Sequence, residues 1–301
     1  IVQGTNCPIQ DDGNNRIAQI CYDIAKELDV EPYDEHTGKG VLRHVIGRIG
    51  QSGWMVILVT TTDYLPEQEE WVKNITNRIP QVETIVHNVN GKRTNVILGP
   101  TNHVIYGDGT ITDHIKDLRF NVSPHSFFQV NPEQTTVLYD QALAYADLKG
   151  DETVIDAYCG TGTISLFLAH KAKHVIGIEI VEPAIINARE NARNNGYDNT
   201  EFIVADAAVE MPKLYNAGVR PDVIVFDPIR AGCKEEVLTS AASMEPKRIV
   251  YVSCNPATMA RDIEILTHYG YELQEVQPVD MFPMTAHVEA VALLTRNNVT
   301  Q

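Results

Sequence analysis

The sequence is poor in cysteine, and its five (Cys7, Cys21, Cys159, Cys233, Cys254) form no C-x-x-C pair and no regular spacing. That excludes a disulfide framework and a complete zinc site, and it is the usage expected in a reducing cytoplasm. No apolar run reaches about 18 residues, and the first residues lack a basic stretch followed by an apolar one, so neither a membrane span nor a secretion signal is read. Positive charge is scarce: 24 Lys and Arg stand against 40 Asp and Glu, a net charge of −16. A generally basic nucleic-acid surface is thereby excluded, because phosphate neutralisation needs clustered Lys and Arg, though room remains for a local basic groove. A methionine start is also lacking, and a chain opening at Ile1 is expected to be a fragment or a processed product.

What is present is an ordinary globular composition, 44% hydrophobic over 301 residues, which suggests about two domains. In NNRIAQICYDIAKELDV, Ile17, Ile20, Cys21, Ile24 and Leu28 recur at helical spacing, so Cys21 reads as core. GWMVILVTT reads as a strand, and PEQEEWVKNITNRI as a helix with Trp71, Val72, Ile75 and Ile79 on one face. Short β-rich pieces follow (ETIVHNV, TNVILG, HVIYG, LRFNV), broken by turn signals. The first part, residues 1–130, is therefore a smaller α+β domain. VNPEQTTVLYDQALAYADL bridges to the second, with Asn131 as cap and Pro132 in the first helical position. From Gly150 onward strands and helices alternate five times, the signature of a doubly wound parallel sheet. YELQEVQPVDMF and HVEAVALLTR leave no room for a helix between them, so an antiparallel hairpin should end the sheet of domain 131–301.

The first of those strands runs into a glycine turn, VIDAYCGTGTISLFLA, and Glu179 ends the second strand 19 residues after Gly160. A glycine turn permits close backbone approach, and an acid at that distance can take two ribose hydroxyls. A dinucleotide fold is the competing reading, but Ser165 stands where the third glycine of GxGxxG belongs. Asp156 would also repel a pyrophosphate, whereas it suits the ammonium of S-adenosylmethionine. Asp206 stands where an acid could accept from the adenine amino group, or else it caps a helix. Asp227, in FDPIRAGC, ends the fourth strand beside the pocket, with Pro228 and Arg230 completing a polar turn. Tyr158 either packs on the adenosyl group or belongs to the core, and Cys159 reads as a small packing residue.

Cys254, in YVSCNPATMARD, ends the fifth strand on the same edge, directly before a helix opened by Asn255 and Pro256. The positive end of a helix dipole is expected to lower a thiol pKa from about 8.5 and favour the thiolate. The alternative, a buried structural cysteine, would suit mid-strand better. A methyl acceptor that calls for a thiolate is a pyrimidine C5 carbon, made nucleophilic by thiol addition at C6. That chemistry also needs a base for the C5 proton. Glu289, entering the apolar strand AHVEAVALL, is the candidate, with His287, expected on the same face, as the alternative; a solvent-facing strand end is the plain reading of Glu289.

Together, SCNPATMARD, FDPIRAGC, DAYCGTGTISLFLA, SFFQVN and HVEAVALL resemble the S-adenosylmethionine-dependent RNA uracil-5 methyltransferases, which make 5-methyluridine, over about residues 7–296. The wording AYCGTGTISL is closer to the ribosomal RNA branch than to the transfer RNA branch. The resemblance implies a class I, Rossmann-like α/β methyltransferase domain behind an RNA-facing central domain, acting as a cytoplasmic monomer on 23S ribosomal RNA of the large subunit. It implies Cys254 as nucleophile and Glu289 as proton-abstracting base. Gln129, Tyr158, Thr163, Glu179 and Asp227 match cofactor positions, to which the residue reading adds Gly160 and Asp206. Phe127 matches an aromatic beside an extruded base, and Asp227 and Arg230 are expected on the substrate side. Ile229 replaces a family proline, so the turn after Asp227 should be less rigid. Ribosomal members also carry an N-terminal barrel and a four-cysteine iron–sulfur site, of which NCPIQ retains only Cys7; one cysteine cannot hold a cluster, so no metal is expected. Two other functions are weighed. RNA cytosine-5 methylation would call for a cysteine after Pro228, where Ile229 stands, and a non-catalytic RNA- or cofactor-binding module would follow if truncation or Ile229 spoils activity.

Overall fold

In the computed structural model residues 7 and 10–297 are described. They divide into two units, one running to His114 with Asn121–His125, the other comprising Ile115–Phe120 and everything from Ser126.

The first unit begins with α1 (Asp12–Glu27), capped by the Asp11 carboxylate on the Gly13 N–H. Its sheet has the order β1 (Leu42–Ile49), β2 (Trp54–Thr60), β3 (Val82–Val89), β4 (Thr101–Tyr106), and α2 (Gln68–Arg78) makes the crossover between the parallel pair β2 and β3. The stripe Ile17, Cys21 and Ile24 packs with Val56 and Leu58 of the sheet and with Trp71 and Ile75 of α2. A Cβ at Gly47 would meet the Asn14 amide at 2.2 Å and Ile17 at 2.8 Å, so α1 crosses β1 where only glycine fits. Ile75 is wholly buried in this cluster. Ile75→Ala is expected to cost about 2–5 kcal/mol through lost transfer energy and a residual cavity, read from the urea midpoint of the unfolding step involving this unit.

Two readings of this unit need correction. TNVILG is a loop rather than a strand, because side chains satisfy its backbone: Asn88 bonds Gly99 in both directions, Asn90 Nδ2 donates to Val96 and Ile97, and Arg43 donates to the Asn90, Lys92 and Thr94 carbonyls. Strand β1 escaped the pattern, since Arg43, His44, Gly47 and Arg48 interrupt its apolar alternation. The division between the units runs through the hairpin of β5 (Ile111–Ile115) and β6 (Leu118–Val122).

The second unit opens with α3 (Pro132–Ala146), where the Gln134 N–H donates to the Asn131 cap at 3.2 Å. Then follow β7 (Thr153–Ala157), α4 (Thr163–Ala169), β8 (His174–Glu179), α5 (Glu182–Asn194), β9 (Thr200–Val204), α6 (Ala207–Asn216), β10 (Val223–Phe226), α7 (Glu235–Ser243), β11 (Arg248–Ser253), α8 (Pro256–His268), β12 (Tyr271–Val279) and β13 (Glu289–Arg296). The sheet order is β12-β13-β11-β10-β7-β8-β9, with β13 antiparallel to both neighbours and the rest parallel. Val154, Val225 and Val250 enter one apolar cluster, while Ile155, Ile224 and Ile249 enter the other. Burial on both faces is why these strands read as continuous apolar runs. The result is the doubly wound, Rossmann-like α/β domain with a terminal antiparallel hairpin that the pattern predicts.

Candidate active site

Strand register gathers the chemistry at one edge of the seven-stranded sheet. Ala157, Phe226 and Tyr251 lie side by side in the parallel strands, so the chain leaves them through Tyr158, Asp227 and, three residues beyond Tyr251, Cys254. Glu179 ends the adjacent β8. Because β13 runs the opposite way, its first residue lies at this same edge; Ser253 pairs with Ala290, and Cys254 and Glu289 are the next residues out on the two strands, near enough for the carboxyl to act on the thiol.

The glycine turn stands over β7. Gly160 has φ 54° and Gly162, the cap of α4, has φ 81°; a Cβ on Gly160 would meet nothing within 4 Å. Glu179 accepts from the Gly160 N–H at 3.3 Å and from the Val181 N–H at 2.9 Å, which holds its carboxylate beside the turn. Asp156 is fully buried: Ser165 Oγ donates to one oxygen at 2.5 Å and the other oxygen has no partner. Burial, reinforced by the Glu179 charge, pushes its pKa up to about 7. A buried carboxyl oxygen without a partner fits a cationic ligand and is costly without one. Thr163 Oγ1 bonds the hydroxyl of buried Tyr139 at 3.0 Å, and Gln129 is buried. Tyr158 is half-buried with φ 70°, its hydroxyl against the Cys233 thiol. Asp206 serves its plainer role: it caps α6 on the Ala208 N–H (2.9 Å) and pairs with Lys234 Nζ (2.7 Å), which lowers its pKa. Both of its oxygens are engaged, so contact with an adenine amino group would have to share the cap or displace Lys234.

Glu289 is 4% exposed, and burial pushes its pKa up to about 7. Asp227 is pushed well above the usual carboxylate range by burial, then by Glu289 and Asp156. The helix start was expected to lower the Cys254 pKa; instead it is raised, by desolvation first and then by the charges of Glu289 and Asp227, with Arg230 pulling the other way. Asn255 caps α8 on the Ala257 N–H (3.2 Å), so the helix terminus is in place, but two carboxyls and partial burial outweigh it. His287 does not share a face with Glu289: it precedes the strand, is exposed, and accepts from Arg230 Nη2 at 2.8 Å. Phe127 is 71% exposed and Ile229 76%, an aromatic and an aliphatic side chain presented to solvent. Cys7 is half-buried, while Asn6, Pro8 and Ile9 of NCPIQ lie outside the described residues. Among the described residues no cluster of three His, Cys, Asp or Glu could hold a metal ion, and no helix is long and apolar enough to cross a membrane. Tyr139, whose hydroxyl meets Thr163, was not singled out because Leu138, Tyr139 and Ala142 look like an ordinary core stripe.

Residues 57–297 match the tRNA (uracil-5-)-methyltransferase family. The chain belongs to that family. An "Uncharacterized RNA methyltransferase" of Halalkalibacterium halodurans is 52% identical, over 99% of this chain and 66% of its own length. One from Clostridium acetobutylicum is 51% identical over 98% and 65%. The chain thus spans just under two-thirds of these curated relatives. Among solved structures, a Pyrococcus abyssi tRNA (uracil-54, C5)-methyltransferase in complex with S-adenosyl-L-homocysteine is similar at TM-score 0.82 and 30% identity, over 98% of this chain and 70% of that one. The family match runs from β2 through the end of β13 and so includes every residue of the edge described above.

Proposed function

We propose that this protein transfers a methyl group from S-adenosylmethionine to C5 of a uridine in RNA through a transient Cys254 adduct. The observation that carries the proposal is the register that sets a half-buried cysteine near a buried glutamate, at the strand edge that also holds the glycine turn. The residues present fit the cofactor. The orphaned Asp156 oxygen suits a cationic group, Glu179 suits a ribose, and Gly160 leaves the backbone open to close approach. When bound, the cofactor supplies an electrophilic methyl group. Cys254 Sγ forms a bond to uracil C6, and the C5=C6 electron pair moves toward C5, which becomes the nucleophile. Once C5 carries its fourth substituent, Glu289 accepts the C5 proton; the C5–H electron pair re-forms the double bond and the C6–S bond breaks, returning the thiolate. Phe127, exposed, is suited to stack on an extruded base, and Asp227 and Arg230 flank the thiol.

The intended RNA is 23S ribosomal RNA of the large subunit, a reading supported by the AYCGTGTISL wording of the cofactor turn. Transfer RNA is the second reading, favoured by the Pyrococcus structure. The same proposal takes the protein as a cytoplasmic monomer, in keeping with five unpaired cysteines. Labelled methyl donor offered with protein-free 23S ribosomal RNA and, separately, with transfer RNA transcripts separates the two; label confined to transfer RNA defeats the ribosomal assignment. For the cofactor, Asp156→Asn is expected to weaken S-adenosylhomocysteine binding about 10- to 100-fold in calorimetry, the worth of one charge-assisted bond. An unchanged affinity would remove Asp156 from the site.

A further inference from the structure

The segment after Asp227 is fastened to α8 by a set of side-chain to backbone bonds. Asn255 Nδ2 (3.1 Å) and Thr258 Oγ1 (3.3 Å) donate to the Arg230 carbonyl, and Arg261 Nη2 donates to the carbonyls of Ala231 (3.0 Å) and Cys233 (3.5 Å). The Cys233 N–H donates to Asp262 Oδ2 at 2.7 Å. Asp262 itself is completely buried, and it also accepts from the Tyr251 hydroxyl at 2.5 Å and from Arg261 at 2.6 and 2.8 Å. Between them sits Gly232 at φ 81°, where a Cβ would lie 2.6 Å from both Arg261 Nη2 and Asp262 Oδ2.

Asp262 is buried but its partner Arg261 is 52% exposed, and a pair open to solvent on one side adds little net stability, so stability alone is a weak reason for this one. What the pair does geometrically is specific. It closes the turn that begins at Asp227 and carries Arg230 onto the helix whose cap, Asn255, directly follows Cys254. Arg230 is the cation that favours the Cys254 thiolate against burial, Glu289 and Asp227. Pro228 fixes one φ of the turn, and the bonds from α8 restrain the residues that follow it.

We propose that Asp262 is a positioning residue: through the Cys233 N–H and Arg261 it locks residues 230–233 onto α8, and so holds Arg230 in register with Cys254, while Asp227 is kept in place by its own N–H bond to the Ala157 carbonyl. The proposal rests on the reading of Cys254 as the nucleophile, but its test uses neither RNA nor cofactor. Cys254 in the intact chain is alkylated with iodoacetamide across pH 6–10 and followed by peptide mass spectrometry, with thermal melts in parallel. The charged groups facing the thiol are Glu289 from β13, Asp227 and Arg230 from the turn after β10, with His287 against Arg230. Asp262→Ala and Gly232→Ala should both move the alkylation midpoint upward and slow the reaction at pH 7 about threefold to tenfold, in proportion to thiolate lost. Asp262→Asn, whose amide oxygen can still accept from Cys233, should fall between wild type and Asp262→Ala. Adding Arg230→Gln to Asp262→Ala should produce no further shift. Melting temperatures that drop while the alkylation profile of the folded variants stays on the wild-type curve overturn the proposal. Should Asp262→Ala not fold, Gly232→Ala decides by the same criterion, since it disturbs the dock without removing a charge. Failure of the nucleophile reading would show separately, as wild-type protein that forms no adduct with 5-fluorouridine RNA.

Discussion

Cys254→Ala is expected to lower methyl transfer to RNA at least about 10⁴-fold while leaving S-adenosylhomocysteine affinity within a factor of about two, because removing a nucleophile leaves only binding and orientation. Uracil C5 is not nucleophilic until C6 is attacked, so no neighbouring side chain can substitute for the thiol. Cys159 and Cys233 are buried, and their thiols are pushed up by desolvation. The measurement is the initial rate with labelled methyl donor at saturating RNA, beside calorimetry of the same preparation. Residual activity within tenfold of wild type would show that Cys254 is not the nucleophile. A parallel loss of cofactor affinity would show instead that the substitution damaged the pocket.

Glu289→Gln is expected to slow product formation by about 10²–10⁴-fold while a covalent protein–RNA species accumulates, since addition to C6 does not require the base but elimination does. Rapid release of methylated RNA by the variant would end the assignment. The pH dependence follows from burial. The group must be ionised to accept a proton, and its pKa is raised to about 7, so the wild-type rate should climb with pH toward about 7 and level off above it, to the extent that elimination limits turnover. In the glutamine variant that limb should be missing. The stability consequence has the opposite sense: the folded state binds the extra proton between the ordinary carboxylate pKa of about 4.3 and about 7, so stability contributed by this site falls as pH rises through that window. Above pH 7 the glutamine variant should therefore melt higher than wild type.

The doubly wound sheet was legible because the central strands β7, β8, β10 and β11 are apolar on both faces and helices follow them, one with its own start signal at Asn255-Pro256. The edge residues were legible for a related reason: Cys254, Asp227 and Glu179 are polar groups where apolar strands stop. What the residues could not convey was the field that they make together. Cys254 and Glu289 are 35 positions apart, and the antiparallel insertion of β13 beside β11 brings the glutamate near the thiol, where burial first and then this carboxyl reverse the direction in which the helix terminus alone would move its pKa. Asp206 looked available because Lys234, its partner, stands on the far side of β10 in sequence. Asp262 was hidden for the opposite reason, since an Arg-Asp pair on a helix ordinarily reads as a solvated face, yet this aspartate points into the protein.

The most direct test of the central claim is mass spectrometry of the protein trapped on 5-fluorouridine-substituted RNA in the presence of S-adenosylmethionine, digested to peptides and nucleotides. Fluorine at C5 leaves Glu289 no proton to remove, so the adduct should persist. A cross-link on Cys254 to a fluorouridine that also carries the transferred methyl group is expected. A cross-link on another residue, or methylated RNA bearing its label on cytidine or on a ribose with Cys254 unmodified, would contradict the central claim.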